Sequence, residues 1–183
     1  MERPDFVHLH LHSEYSLSDG IIRISELISR ASSLRYSAVG LTDLTNLFGL
    51  LEFYRSAREK GVKPIVGAEV NVIKDKDSLP APIVLLVKDK QGYINLTKIV
   101  SKAYVDGQVN GEPTVELSLL KHFGEGLIAL SGGMEGHVGQ SILAGNIPLT
   151  ESRIKFFQDI FGEDFFIEVH RLGKTNEEEY NNS

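Results

Sequence analysis

The sequence predicts an α/β fold of parallel strands joined by crossover helices, in the form of an incomplete β/α barrel. Three observations predict it. Short aliphatic runs alternate with segments of helical periodicity along all 183 residues, the order expected of a parallel sheet with crossover helices. Residues able to carry chemistry recur at the carboxyl ends of the predicted strands, where such folds gather their sites. Finally, a helix-opening signal at Thr175-Asn176-Glu177-Glu178 is followed almost at once by Asn181-Asn182-Ser183, too short a run for a stable helix. The chain therefore reads as a fragment. Six predicted strands suit either an open sheet or part of a barrel, and the early stop favours the barrel.

The elements follow in order. Val7, Leu9 and Leu11 alternate with His8, His10 and His12, the period of a strand. Ile21, Ile24, Leu27, Ile28, Ala31 and Leu34 share a helical face. Ala38 to Thr42 is a strand buried on both faces. A second helix spans Leu47 to Lys60, with Leu47, Leu50, Leu51, Tyr54 and Ala57 inward and Gly61 as its stop. Pro64 to Val72 is the third strand, the charged Lys74 to Asp77 a solvated loop, and Ile83 to Val87 the fourth strand. An amphipathic helix covers Gln91 to Tyr104 and a turn-rich loop Gly107 to Pro113. Leu117 to Phe123 is a short helix, Leu127 to Leu130 the fifth strand, and Gly136 to Ala144 and Thr150 to Phe161 are helices. Phe165 to Val169 is the sixth strand, and Thr175 opens a capping box.

Composition narrows the chemistry. No apolar run approaches the length of a bilayer span, and the start lacks the apolar middle of a signal peptide; cytoplasm is the expected location. The absence of cysteine leaves imidazole, carboxylate and water as the available metal ligands. A net charge of −6 argues against a protein that coats a nucleic-acid duplex, because that affinity comes from cations on phosphates.

The most informative stretch is His8-Leu9-His10-Leu11-His12, followed by a Ser/Glu/Asp-rich loop reaching Asp19. Imidazoles about 7 Å apart along one strand face, with carboxylates just beyond, suit a metal site. Asp43 and Glu69 join them at strand ends. Imidazole and carboxylate together fit Zn²⁺, Mn²⁺ or Fe²⁺ and the activation of water against a phosphate ester. Plainer roles stand beside these. Asp43 suits either a ligand or a cap of the following turn, and Glu69 either a ligand or a buried partner of Lys63 or an arginine. His8 fits a structural hydrogen-bonder, and His122, His137 and His170 fit surface or supporting positions.

Several motifs then occur in one order: Phe6 to Ser16 with Asp19-Gly20, Leu41-Thr42-Asp43-Leu44-Thr45-Asn46-Leu47-Phe48-Gly49, and Lys63-Pro64-Ile65-Val66-Gly67-Ala68-Glu69. Gly92-Tyr93-Ile94-Asn95-Leu96, Ser101 to Tyr104 and Gly126 to Gly133 continue them. Together they resemble the PHP (polymerase and histidinol phosphatase) domain. The branch most similar is the proteobacterial one that opens bacterial DNA polymerase III alpha subunits. The resemblance runs from about residue 4 to the end, and it implies a distorted seven-stranded β/α barrel with a cluster of up to three metals. It implies that His10, His12, Asp19 and Glu69 lie on ligand positions, with Asp43 nearby, and that three others have been replaced, by Leu44, by Pro82 or Ile83, and by Gly133. Those side chains cannot bind a metal. The implied centre is therefore degraded, holding one weakly bound divalent ion (Zn²⁺, Mn²⁺ or Mg²⁺) or none.

The resemblance further implies a scaffold within a DNA-directed DNA polymerase, packed on the rest of the alpha chain and docking the proofreading exonuclease subunit. DNA would be met only through the full assembly. Residues 1–183 would be the N-terminal part of the domain, without the closing strands or the polymerase centre, and inactive alone. The alternative is an active metal-dependent phosphoesterase, whether 3′–5′ exonuclease, pyrophosphatase or sugar-phosphate phosphatase. An unclosed barrel also leaves a sheet edge exposed, which predicts marginal stability or self-pairing.

Overall fold

The computed structural model describes residues 6–17, 19–74 and 79–183; most of the expected charged loop after Lys74 lies outside them. The chain forms two compact units, 1–69 and 70–183. Its class is mixed α/β, as the alternating pattern predicts, with both parallel and antiparallel pairing.

In the first unit, helix α1 (Ile24–Ser33) and strand β1 (Ala38–Leu41) are followed by helix α2 (Leu50–Glu59) and the start of strand β2 (Lys63–Ile73). β1 pairs in parallel with β2, Ala38 opposite Lys63 and Leu41 opposite Val66. Ile24, Ile28, Val39, Leu41, Phe53 and Val62 belong to one buried cluster, and each large side chain withdrawn from water adds roughly 1.5–3 kcal/mol. Both helices differ from the expected faces. Ile21 lies outside α1 and is almost fully exposed, because the main chain before the helix is engaged with the histidine loop, Glu14 N–H donating to Ile22 O at 2.9 Å. In α2 the inward residues are Phe53 and Ala57, while Leu51 and Tyr54 face solvent. The apolar spacing allowed two faces, and the one that meets α1 won.

The second unit contains the remainder of β2, then strand β3 (Ala81–Val87), helix α3 (Lys90–Val105), strands β4 (Gln108–Val109) and β5 (Glu112–Glu116), helix α4 (Leu117–Phe123) and strand β6 (Leu127–Leu130). Helices α5 (His137–Leu143) and α6 (Ile147–Phe161), strand β7 (Phe165–Phe166) and helix α7 (Glu177–Asn181) complete it. Strand order is β4-β5-β2-β3-β6-β7. The β2–β5 and β6–β7 pairs are parallel, whereas β3–β6 and β4–β5 are antiparallel. A continuous apolar run such as β3 suggests a parallel strand, but it strictly requires only burial on both faces, which an antiparallel partner also allows.

The loop expected at 107–113 is a β-hairpin. Val109 pairs with Glu112 across Asn110-Gly111, whose φ values of 54° and 85° are those of a two-residue type I′ turn. Asn-Gly was the available signal. α3 begins under a true cap, the Asp89 carboxylate accepting from Gly92 N–H at 2.9 Å. The expected capping box at Thr175 does not form, since Asn176 precedes α7 with φ +66° and no side-chain cap. Instead the Glu177 carboxylate reaches back to accept from Leu172 N–H and Gly173 N–H at 2.6–2.8 Å. No described helix is long and apolar enough to cross a membrane.

Candidate metal centre

The histidine segment runs beside β1 without becoming a regular strand. Gly40 N–H donates to His8 O at 2.7 Å and Thr42 N–H to Leu11 O at 2.9 Å. Two steps along β1 thus answer three along the histidine segment, the one-residue excess of a bulge. Leu11 N–H, left without a ladder partner, donates to Thr42 Oγ1 at 2.8 Å. The close approach requires a glycine on β1, because a Cβ at Gly40 would stand 2.7 Å from Leu9 O. The bulge breaks the simple alternation and separates the three imidazoles. His8 stacks edge-on with Phe6 and Tyr36, ring centroids 4.9 and 5.5 Å away, and stays out of the centre.

His10 and His12 turn toward Glu69. His10 Nε2 lies 2.7 Å from Glu69 Oε2 and His12 Nε2 lies 3.6 Å from the same oxygen. Ligand atoms of the three residues fall within 4.8 Å of one another. Glu69 is placed by main-chain bonds on both sides: its N–H donates to Thr42 O at 3.2 Å and its O accepts from Thr45 N–H at 2.7 Å. Burial works to raise the Glu69 carboxyl, but the two histidines outweigh it and hold the group at about 2. For His12, burial works to lower the imidazole, and the Glu69 and Asp19 carboxylates outweigh it, leaving the pKa raised.

Asp19 meets His12 from the other side. His12 Nδ1 lies 2.5 Å from Asp19 Oδ2, a contact that holds the ring with Nε2 toward Glu69 and, with the proton on Nδ1, would leave Nε2 to a ligand. That Nε2 is buried and has no hydrogen-bond partner among the described residues. A buried imidazole nitrogen without a hydrogen-bond partner, beside a carboxylate and a second imidazole, fits a divalent cation.

Asp43 is 2% exposed and its oxygens are already engaged. They accept from Ser13 N–H at 2.6 Å, from Ser13 Oγ at 2.8 and 3.0 Å, and from Ser16 Oγ at 2.8 Å. Ser16 Oγ in turn accepts from Leu44 N–H at 2.9 Å. Asp43 therefore ties down the loop that carries His12 and Asp19, outside the group that converges on Glu69. Ser13, Ser16 and Thr42 were not singled out from sequence; their only signal was hydroxyl density beside the histidines. His137, expected at the surface or in support, is buried, and its Nε2 pairs with Val72 O at 3.1 Å. His170 Nε2 pairs with Glu168 at 2.8 Å.

The positions at which the resemblance implies a lost ligand offer none here. Leu44, Pro82 and Ile83 have no donor atom beyond the main chain. At Gly133, φ is +61° and a Cβ would stand 2.8 Å from the His170 ring. A side chain there would sit on a strained backbone and would have to displace the His170 ring.

The profile of the PHP domain matches residues 8–172. The chain belongs to the PHP domain family. This PHP domain is 41% identical over 182 residues to the DNA polymerase III subunit alpha of Vibrio cholerae, covering 98% of this chain and 16% of that one. The Escherichia coli K12 subunit of the same name gives 41% identity with the same coverage, and that of Pseudomonas aeruginosa 38% over 96% of this chain and 15% of its own. The PHP domain thus spans about one sixth of the length of these relatives. Among solved structures, an amidohydrolase from Chromobacterium violaceum aligns over 54% of this chain and 33% of its own at 28% identity with a TM-score of 0.43.

Proposed function

We propose that this PHP domain is the N-terminal scaffold segment of a bacterial replicative polymerase alpha subunit. On this reading it acts in the cytoplasm, packs on the rest of that chain, docks the proofreading exonuclease subunit, and meets DNA only through the assembly. Identity of 41% across 98% of the chain to proteins named DNA polymerase III subunit alpha is the observation that carries it. Nucleotide addition would belong to other parts of such a subunit, with residues 1–183 inactive alone. The ligand losses at Leu44, Pro82 and Gly133 favour a scaffold over a hydrolase, since a multinuclear phosphoesterase centre needs donors at each position.

The residues that remain fit a single ion. His10 Nε2, His12 Nε2 and Glu69 Oε2 would hold one divalent cation, Zn²⁺, Mn²⁺ or Mg²⁺, through three protein ligands. Bound there, such an ion supplies Lewis acidity toward a phosphate ester. Asp19 orients His12 through Nδ1, and Glu69 supplies the charge that offsets the cation. Asp43 keeps the loop in place through Ser13 and Ser16.

Metal analysis of the purified protein, combined with exonuclease-subunit binding and phosphate-ester hydrolysis, tests the proposal. The expected result is no more than one ion, no chelator-sensitive hydrolysis, and measurable binding of the subunit. Two or more tightly held ions with chelator-sensitive hydrolysis would replace the scaffold with the phosphoesterase reading.

A further inference from the structure

Leu11 sits between the candidate ligands His10 and His12, and the peptide groups that join it to each of them are held by one residue, Thr42, just past the end of β1. Leu11 N–H donates to Thr42 Oγ1 at 2.8 Å. Leu11 O accepts from Thr42 N–H at 2.9 Å and from Thr42 Oγ1 at 3.1 Å. A hydroxyl both donates and accepts, and here it does one toward each side of Leu11. Thr42 O in turn accepts from Glu69 N–H at 3.2 Å. The same residue therefore grips the chain between the two imidazoles and the chain that carries the third ligand, and all five residues lie in the first unit.

The hydroxyl replaces a ladder bond that the bulge removes. A regular parallel pair advances two residues on each strand between equivalent bonds, so with Gly40 N–H on His8 O, Thr42 N–H would fall on His10 O. It falls on Leu11 O instead. Without Thr42 Oγ1 the Leu11 N–H would have no acceptor, and an unpaired main-chain donor is costly enough for the segment to shift. Thr42 is 0% exposed, which keeps solvent from competing for its hydroxyl. The Leu11 side chain packs against the buried cluster of the first unit, so this one residue is anchored by side chain and main chain together.

We propose that Thr42 is the positioning residue of the candidate metal centre: its hydroxyl locks the one-residue excess of the bulge and so sets the spacing of His10 and His12 against Glu69. The proposal rests on the assignment of those three residues as ligands. Thr42 acts through the main chain of Leu11 and supplies no ligand atom.

Three readouts on purified wild type, T42V and T42S test it: Zn²⁺ affinity against a chromophoric chelator, the d–d spectrum of the Co²⁺ form, and the imidazole ¹⁵N resonances of metal-free, histidine-labelled protein. Valine keeps the shape of threonine without the hydroxyl, and serine keeps the hydroxyl. T42V should weaken Zn²⁺ binding about tenfold or more, alter the Co²⁺ spectrum and move the His10 and His12 resonances, while His137 in the second unit stays unmoved. T42S should lie close to wild type in all three. Should T42V unfold, T42A compared with T42S isolates the same hydroxyl. A T42V protein indistinguishable from wild type would overturn the proposal, as would T42S as weak as T42V. If the wild type takes up neither ion, the ligand assignment fails and the metal-free resonances decide alone: a shift in T42V that T42S reverses sustains the positioning role, and unmoved resonances overturn it.

Discussion

Glu69 keeps a negative charge between two imidazoles, and that charge sets a pH window. Its carboxyl lies at about 2 in the folded chain, below its ordinary value, so the stability it adds is present above the unfolded pKa and is lost as pH falls from about 4.5 toward 2. The shift corresponds to about 3 kcal/mol. His12 is raised, so its share is present below the ordinary imidazole value and fades as pH rises through the folded pKa. Urea unfolding of metal-free protein should therefore show a fall in stability on the acid side of this window that Glu69→Gln largely removes. Cation binding runs the other way, since a ligating imidazole must be free of its proton. Zn²⁺ affinity by titration calorimetry should weaken about tenfold per unit once pH drops below the raised His12 pKa. Asp43 is a residue of another kind. Asp43→Ala strands the Ser13 N–H and two hydroxyls in a buried loop and should cost about 3 kcal/mol in urea unfolding. At this scale the sequence nominates His10, His12 and Glu69, and the structure brings their ligand atoms within 4.8 Å of one another. The sequence could not show that Asp43 is consumed by serines, because a carboxylate's partners lie wherever the fold brings donors.

Elements were legible where periodicity was long and missed where one residue changed the geometry. α3, α4 and β6 fall close to their expected bounds because their apolar spacing extends over the full segment. The histidine segment looked like a strand and is bulged, since an excess residue costs nothing in the alternating pattern but shifts every later hydrogen bond. The β4–β5 hairpin has its signal in Asn110-Gly111, within a stretch whose turn-forming residues otherwise indicate a loop. Two glycines make the contrast testable. A Cβ at Gly92 would stand 1.8 Å from Gly126 O, so Gly92→Ala should force α3 off its seat and cost about 3 kcal/mol. At Gly111 there is open space but φ is +85°, so alanine should cost only about 1 kcal/mol through backbone strain. Equilibrium urea denaturation of both variants separates the two causes.

The whole molecule divides into two units, 1–69 and 70–183, and the candidate ligands His10, His12 and Glu69 all belong to the first. Zn²⁺ at about a hundred times its dissociation constant should stabilise the site by about 2.7 kcal/mol. Hydrogen exchange should show that protection in the histidine segment, β1 and the Asp43 loop, with the amides of α5 and α6 unchanged; slowing confined to the second unit would place the ion elsewhere. What the sequence determined by itself was the α/β class, the chain's PHP membership and the chemical nature of the donors, because burial patterning and residue type are properties of the chain. Tertiary structure decided which donors meet. The bulge beside Gly40 turns His8 away and brings His10 and His12 onto Glu69, Asp19 takes Nδ1 rather than the open Nε2 side, and β3 meets β6 antiparallel. Each of these depends on hydrogen bonds between residues far apart in sequence, and a period of apolar residues does not encode them.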